Sequence, residues 1–330
     1  MDTQHFKWNS QCHSIAVDGQ IFGVITTADT SEYPSLGGCR ILNKTLTRDD
    51  IQQCIDLAYV MQLKARLHNL PVSGGKALLC LPEPQKRESY LQHFAKKINQ
   101  LLGQYVTAVD MGSDQQDMDL LSQYTHHVTC HTKAGGDPSW YTAQTTLLSI
   151  QATYQAMTGS QSLKNKRVVI QGVGKVGYYI AQLLAEQHAI ITICDVNDMA
   201  VKHCTKHIDC SITKPESVYQ TQCDIFISCA GSKLLDQTAI KQLNTKLFAA
   251  TANDPFSGKN TPQQLIDRNI TYLPDFLINV GGLMCCVYQQ SQNFSLQEKI
   301  AHVYDTVLKL LNHANHDNAK FYALCLRGAN

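Results

Sequence analysis

Lys166-Arg167-Val168-Val169-Ile170-Gln171-Gly172-Val173-Gly174-Lys175-Val176-Gly177 is the stretch on which the fold turns. Lys166 to Gln171 reads as a short buried strand. The three glycines form a G-x-G-x-x-G turn, and the residues through Gln187 read as an amphipathic helix. The next strand, Ala189 to Cys194, ends on Asp195. Strand, glycine turn, helix, strand and terminal acid in this order mark a dinucleotide-binding βαβ unit. Gly172 allows the tight turn, Gly174 lets the backbone approach a pyrophosphate, and Gly177 permits close helix packing. With Val173, Lys175 and Val176 in the same turn, the helix N-terminus offers N–H groups and a partial positive charge to phosphates. Asp195 would accept from both ribose hydroxyls and repel a 2′-phosphate, which favours NAD over NADP. A glycine-rich turn with no ligand is the bland alternative, and the complete context argues against it.

Working outward, further strands are expected at Asp224 to Ser228, Lys246 to Ala250 and Ile270 to Leu273. Alternation with helices implies a parallel, doubly wound sheet. Upstream, strand-like and helix-like segments alternate: Ile15 to Thr26, Thr47 to Asn69, Ala77 to Leu81, Ser89 to Leu102 and Tyr105 to Val109. A break follows at Ala134-Gly135-Gly136-Asp137-Pro138, and Thr142 to Thr158 reads as a helix that could bridge two domains. The expectation is an α/β protein of two domains. Residues 1–140 form a first α/β domain with a mixed sheet, and residues 141–311 a Rossmann-type NAD-binding domain. The tail, Leu296 to Leu326, reads as helical, and residues 312–330 are expected to pack back on the first domain.

Bulk properties exclude several function classes. The 330 residues suffice for two full cores. With 28 basic and 27 acidic residues the net charge is +1, so nothing points to nucleic acid or a membrane surface. The start, MDTQHFKWNS, lacks a basic region followed by an apolar one, so no signal peptide is expected. The thirteen cysteines are scattered, odd in number and without a C-x-x-C pair, as in a reduced cytoplasmic protein. His203, Cys204, His207 and Cys210 match no zinc spacing, and His126, His127 and His131 read as strand and loop residues; no metal is expected.

Two lysines carry the chemical signal. Thr47 and Asp50 open the first long helix as a capping box. Leu57, Val60, Met61 and Leu67 then suggest one apolar stripe, and Lys64 lies on it. Lys76 follows Ser73-Gly74-Gly75 and leads into a buried-strand run. One such lysine alone would be read as snorkelling to water. Two on adjacent elements point to a site for an anionic substrate, since buried ammonium groups are costly unless paired or used. Gly-Gly-Lys here is not a P-loop, because Ala77 replaces Ser/Thr and Leu70 stands at the first glycine position. Asp110 closes the strand Tyr105 to Val109 and could shuttle a proton near the lysines; a salt-bridge or capping role is the equal alternative. Asp117 and Asp119 read as helix-dipole partners.

These residues sit in segments that together resemble the leucine/phenylalanine/valine dehydrogenase group of the Glu/Leu/Phe/Val amino-acid dehydrogenase family. The segments are LGGCR at 36–40, MQLKARLHNLPVSGGKALL at 61–79, YVTAVDMGSDQQDMD at 105–119, DPSWYTA at 137–143, QGVGKVG at 171–177, CDIFISCA at 223–230, ATANDPF at 250–256 and PDFLINVGG at 274–282. The resemblance implies NAD-dependent oxidative deamination of an L-amino acid to a 2-oxo acid with release of ammonia, in a cleft between the domains of a homo-oligomer, with residues 1–140 as the substrate-binding and oligomerisation domain. Lys64 would hold the substrate carboxylate, Lys76 would polarise the carbonyl or activate the attacking water, and Asp110 would exchange protons at the substrate nitrogen. Asn253 and Asn279 would lie near nicotinamide and substrate, Thr142 against the nicotinamide amide, and Cys229-Ala230 over the nicotinamide ribose. Leu36 stands where the glutamate branch has a lysine, and Gly37, Met61, Ala108 and Leu283 would complete a wall for an apolar side chain. Ala108 suits a branched aliphatic substrate and Leu283 resembles an aromatic-type pocket, so leucine or valine is preferred and phenylalanine is the alternative. A silent NAD- or amino-acid-binding relative is a further reading. Departures from the family pattern are Ser73, Val109 and Asp254.

Overall fold

The computed structural model describes residues 9–29, 31–132, 137–258, 261–288 and 295–328. The first eight residues of the opening stretch, read for a leader, and Ala134-Gly135-Gly136 of the expected break lie outside them. The chain divides into two compact units, Met1–Gly136 and Asp137–Asn330.

The first unit contains β1 (Ser10–Val17), β2 (Gln20–Ala28), β3 (Ser35–Leu42), α1 (Arg48–Leu67), β4 (Ser73–Cys80), α2 (Arg87–Gln100), β5 (Tyr105–Val109) and α3 (Gln115–Leu121). Its sheet runs β1-β2-β4-β3-β5. The β1–β2 and β2–β4 pairs are antiparallel, and β4–β3 and β3–β5 are parallel, so the sheet is mixed. The single segment expected over Ile15 to Thr26 is a hairpin. Asp18 (φ 50°) and Gly19 (φ 80°) make its two-residue turn between Val17 and Gln20. Asp-Gly suits this turn because both central residues need positive φ.

Register and the two-residue period of strands sort the side chains of this sheet. Cys39, Ile41, Ala77, Leu79 and Tyr105 face one way and join α2 in the main core with Tyr90, Leu91, Phe94 and Ile98. Leu36, Gly38, Arg40, Gly74, Lys76, Ala108 and Asp110 alternate with that set and share the other face, which α1 covers. The stripe expected on α1 is met in part: Lys64 and Leu67 are buried, together with Asp50, Cys54, Ala58, Leu63 and Ala65, whereas Leu57, Val60 and Met61 are half-buried. The reason is close packing: a Cβ at Gly74 would strike the Ala58 carbonyl and lie 2.5 Å from the Gln62 nitrogen. Where the helix passes Gly74 it therefore takes the small Ala58.

The second unit contains α4 (Pro138–Thr158), β6 (Arg167–Gln171), α5 (Lys175–Glu186), β7 (Ile190–Cys194), α6 (Asp198–His207), β8 (Ser211–Ile212), β9 (Ile225–Ser228), α7 (Gln237–Gln242), β10 (Leu247–Ala250), α8 (Thr261–Asp267), β11 (Thr271–Leu273), α9 (Asp275–Ile278), α10 (Gly281–Tyr288), α11 (Leu296–Ala314) and α12 (Asn318–Arg327). The sheet order is β11-β10-β9-β6-β7-β8, parallel throughout. The chain leaves β6 toward β7 on one side and returns at β9 on the other, so the order reverses between β6 and β9. Ligands of doubly wound sheets bind at such a reversal, beyond the carboxyl ends of the strands.

At the tail, α12 packs on α8, α11 and β11 within the second unit. Asn315 (φ 51°) and His316 (φ 63°) adopt left-handed conformations that end α11 and turn the chain. Phe321 and Cys325 then bury themselves against the second unit's own sheet. Among the described residues no helix is long and apolar enough to cross a membrane.

Candidate active site

The chemistry-bearing residues of the first unit converge on the α1-facing side of the sheet. Lys64 is 6% exposed, so it does not snorkel to water. Lys76 is also 6% exposed, and its Nζ lies 2.7 Å from Oδ2 of Asp110. Arg40, a residue that sequence reasoning did not assign, places Nε 3.1 Å from the same oxygen. Its sequence signal was present: Leu36, Gly38 and Arg40 alternate along one strand, so a face that takes Leu36 also takes Arg40. Gly38 makes the contact possible, because a Cβ there would lie 2.7 Å from that of Asp110.

Electrostatics follow from this geometry. Burial alone would raise the Asp110 carboxyl. The charges of Lys76 and then Arg40, with hydrogen bonds from Lys76 and the Met111 N–H, outweigh burial and hold it below its ordinary range. Directly behind the sheet, burial and the charges of Asp110 and Asp117 push the Cys39 thiol well above its ordinary value, so it contributes no charge. The turn after β5 is fixed by Ser113, whose hydroxyl accepts from the Asp110 N–H at 2.9 Å. The capping box of α1 is present, and Lys44 pairs with Asp50 at 2.7 Å, anchoring the helix that carries Lys64.

The other first-unit candidates are placed as follows. Leu36 and Ala108 are buried, and Met61 is half-buried. Gly37 faces the opposite side, where a Cβ would strike the Gly75 carbonyl, and its own carbonyl accepts from the Tyr105 hydroxyl at 2.6 Å. Its visible task is strand approach. Gln62, also unassigned from the sequence, accepts the Gly74 N–H at 2.6 Å and ties α1 to the lysine-bearing strand. Two departures lose their weight. Val109 packs into the α2-side core, away from the charged face. Ser73 is buried and bonded to the Ser31 hydroxyl.

In the second unit the glycine turn lies at the sheet reversal. Gly172 has φ 93°, and a Cβ on it would lie 2.6 Å from the Ala230 nitrogen, so the β6 and β9 loops adjoin. This brings Cys229-Ala230 to the turn. A Cβ at Gly177 would strike the Gly172 carbonyl, which explains that glycine by helix packing. Gly174 differs. Its φ is −64°, open to any residue, and a Cβ there would meet nothing within 4 Å. Neither conformation nor packing demands glycine, so open access to the N-terminus of α5 is what the residue preserves. Asp195 accepts from the Val173 N–H at 2.7 Å and from the Asn197 N–H at 2.8 Å, one bond to each carboxylate oxygen. Each oxygen keeps acceptor capacity.

A second polar group of this unit forms around Asn279. Its amide donates to the Thr251 carbonyl at 2.9 Å and to Oδ1 of Asn253 at 2.8 Å. Its own Oδ1 is buried and accepts no hydrogen bond from the described residues. A buried polar atom of this kind is costly unless a ligand satisfies it, and a carboxamide or ammonium donor would do so. The Thr142 hydroxyl donates to Pro138 and accepts from the Gly282 N–H at 3.1 Å, so it positions the start of α10, which carries buried Leu283. Asp254 has φ 49°, a conformation that Asp and Asn both tolerate, which accommodates this departure. Lys175 lies at the exposed start of α5, and Val176 follows it half-buried. The residues therefore fit a dinucleotide. His203, Cys204 and His207 lie on α6, with Cys204 buried and His203 against the Tyr178 ring. Among the described residues no group of three or more His, Cys, Asp or Glu could hold a metal ion.

Comparison with known proteins gives the family. Residues 4–127 match the family model for the Glu/Leu/Phe/Val dehydrogenase, dimerisation domain. Residues 139–204 and 195–324 match that for Glutamate/Leucine/Phenylalanine/Valine dehydrogenase. A leucine dehydrogenase of Geobacillus stearothermophilus is 30% identical over 93% of this chain and 85% of its own length. A phenylalanine dehydrogenase of Bacillus thermotolerans is 30% identical over 91% of this chain and 81% of its own. The crystal structure of L-tryptophan dehydrogenase from Nostoc punctiforme superposes with a TM-score of 0.82 at 25% identity, covering 96% of this chain and 94% of that one. The chain belongs to the glutamate/leucine/phenylalanine/valine dehydrogenase family of amino-acid dehydrogenases.

Proposed function

We propose that this dehydrogenase is NAD-dependent and deaminates an apolar L-amino acid, of leucine or valine type, to its 2-oxo acid with release of ammonia. The observation that carries the reading is the ion pair of buried Lys76 with half-buried Asp110, on the sheet face covered by α1, which carries buried Lys64. NAD, when bound, supplies the hydride acceptor. Lys64 holds the substrate carboxylate. Asp110, at Oδ2, takes a proton from the substrate nitrogen and returns one as ammonia leaves. Lys76 polarises the carbonyl oxygen and orients the attacking water. Leu36, Met61 and Ala108 offer no charge to a second carboxylate, whose burial without a partner would be costly. Leu283 is read as a further apolar contact for the substrate side chain, and Gly37 as a backbone contact.

For the cofactor, Gly172, Val173, Gly174, Lys175, Val176 and Gly177 cradle the pyrophosphate. Asp195, with acceptor capacity left on both oxygens, takes the ribose hydroxyls and disfavours a 2′-phosphate. Thr142, Cys229, Ala230, Asn253 and Asn279 hold the nicotinamide end, which would satisfy the unpaired Oδ1 of Asn279. A homo-oligomer is supported by the dimerisation-domain match of the first unit. A reducing cytoplasm is supported by the free thiols.

The test is NADH formation at 340 nm with L-leucine, L-valine, L-phenylalanine, L-tryptophan and L-glutamate, with NAD and NADP in parallel. The proposal expects turnover of aliphatic substrates with NAD. Preference for an aromatic substrate or for NADP would overturn the corresponding part. NAD binding without turnover of any of them would favour a silent relative.

A further inference from the structure

Asp110 has two cations on one oxygen. Lys76 reaches Oδ2 from β4 at 2.7 Å and Arg40 reaches it from β3 at 3.1 Å. Arg40 is itself 14% exposed along its side chain, and Asp110 19%. A simple ion pair needs only one of these cations. The second matters if the first has other work. When Lys76 turns to an oxygen of the substrate, a carboxylate held by Lys76 alone would be left half-buried and unpaired, a costly state. It would then draw a proton and cease to be a base. A guanidinium does not deprotonate, and its rigid fork holds direction better than an ammonium.

We propose that Arg40 is the positioning residue for proton exchange at Asp110, holding Oδ2 in place and ionised so that Lys76 can move between Asp110 and the substrate. This rests on the function proposed above for the Lys76–Asp110 pair. Arg40 touches neither substrate nor cofactor in this scheme. The charged and titratable groups acting around Asp110 are Lys76 from β4 and Arg40 and Cys39 from β3, and Lys64 is buried on α1, the helix that covers the same face. Arg87 and Asp117 pair at 2.6 Å and act on Cys39 from behind the sheet. Lys76 and Arg40 make ion pairs with the carboxylate.

The test compares Arg40→Met, Arg40→Gln and Arg40→Lys with the wild type. Two readouts are taken: the carboxyl 13C titration of Asp110, assigned with Asp110→Asn, and the pH profile of kcat for L-leucine with NAD. In R40M and R40Q the Asp110 titration and the acidic limb of kcat should both move up by about one pH unit, because loss of a nearby cation favours the protonated carboxyl. At the optimum kcat should fall about ten-fold, while the Kd for NAD stays within two-fold. R40K should restore the titration and most of the rate. An unmoved titration in R40M and R40Q would overturn the proposal, as would equal losses in R40K and R40M. The NMR arm needs no turnover, so a wild type inactive on amino acids with a shifted Asp110 titration would fault the functional reading and leave Arg40's hold on Asp110 standing.

Discussion

The two units meet arriving charge by opposite means. The first holds Arg40, Lys64, Lys76 and Asp110, groups of full charge, on one sheet face largely out of water. The second offers a glycine turn, the N–H groups of a helix start and one aspartate that is itself bonded to the turn. Buried side-chain charges pay desolvation and must be paired, so each depends on its neighbour. Backbone dipoles are already part of the helix and need only a clear approach. A substitution in the first unit should therefore act through charge balance, and one in the second through access.

The largest effect is expected at Asp110. Asp110→Asn removes the proton acceptor and leaves Lys76 and Arg40 without their shared counterion. Turnover should fall about 10³-fold and thermal stability should drop with it, with the Kd for NAD little changed. Normal turnover in this variant would remove Asp110 from the chemistry. Next comes Asp195→Ser, which should weaken NAD by about 10- to 100-fold, the worth of charged hydrogen bonds, and bring NAD and NADP affinities together. Equal loss of both cofactors would contradict the ribose assignment.

The glycines give a finer division. Gly177→Ala drives a Cβ into the Gly172 carbonyl and should cost about 1–3 kcal/mol in urea unfolding. Gly174→Ala meets nothing within 4 Å, so the melting temperature should hold while NAD affinity falls. If Gly174→Ala binds NAD normally, the open turn is not the pyrophosphate site.

The smallest effect concerns acid. Asp110 and Asp50 in the first unit both titrate below the ordinary 3.8 in the folded state, and burial opposes that shift in both. Lys76 and Arg40 overcome it for Asp110, and Lys44 with Thr47 for Asp50. Groups with lowered folded values add stability that is complete above the unfolded value and is lost as pH falls through the folded one. Asp224 in the second unit is lowered likewise, but in a pair exposed by 44% and 28%, where solvent screening leaves little. Below about pH 4 the first unit should lose amide-exchange protection before the second. Simultaneous loss would contradict the contrast.

The same contrast governs what the sequence made legible. The glycine turn, its flanking strands and Asp195 were readable because the signal is local, within thirty residues. Lys64, Lys76 and Asp110 were readable as an oddity, charge beside apolar runs. For Arg40 strand alternation gave the face but not the pairing, because its partner lies seventy residues away and the contact exists only through the β3–β5 register. The face of α1 was legible at Lys64 and Leu67 and missed at Ala58, because hydrophobic periodicity favours large residues whereas close approach to Gly74 selects a small one. The hairpin at Asp18-Gly19 had a local signal that outranks the apolar run around it. The tail's docking on α8 and β11 depends on contacts that no periodicity encodes.

The most direct test of the account is Lys76→Ala, followed by NADH formation from L-leucine and by the Kd for NAD in the same preparation. The account predicts turnover lower by about 10³-fold or more with NAD affinity within two-fold and a folded protein, since Arg40 still balances Asp110. Turnover near the wild-type rate, or loss of NAD binding together with activity, would contradict it.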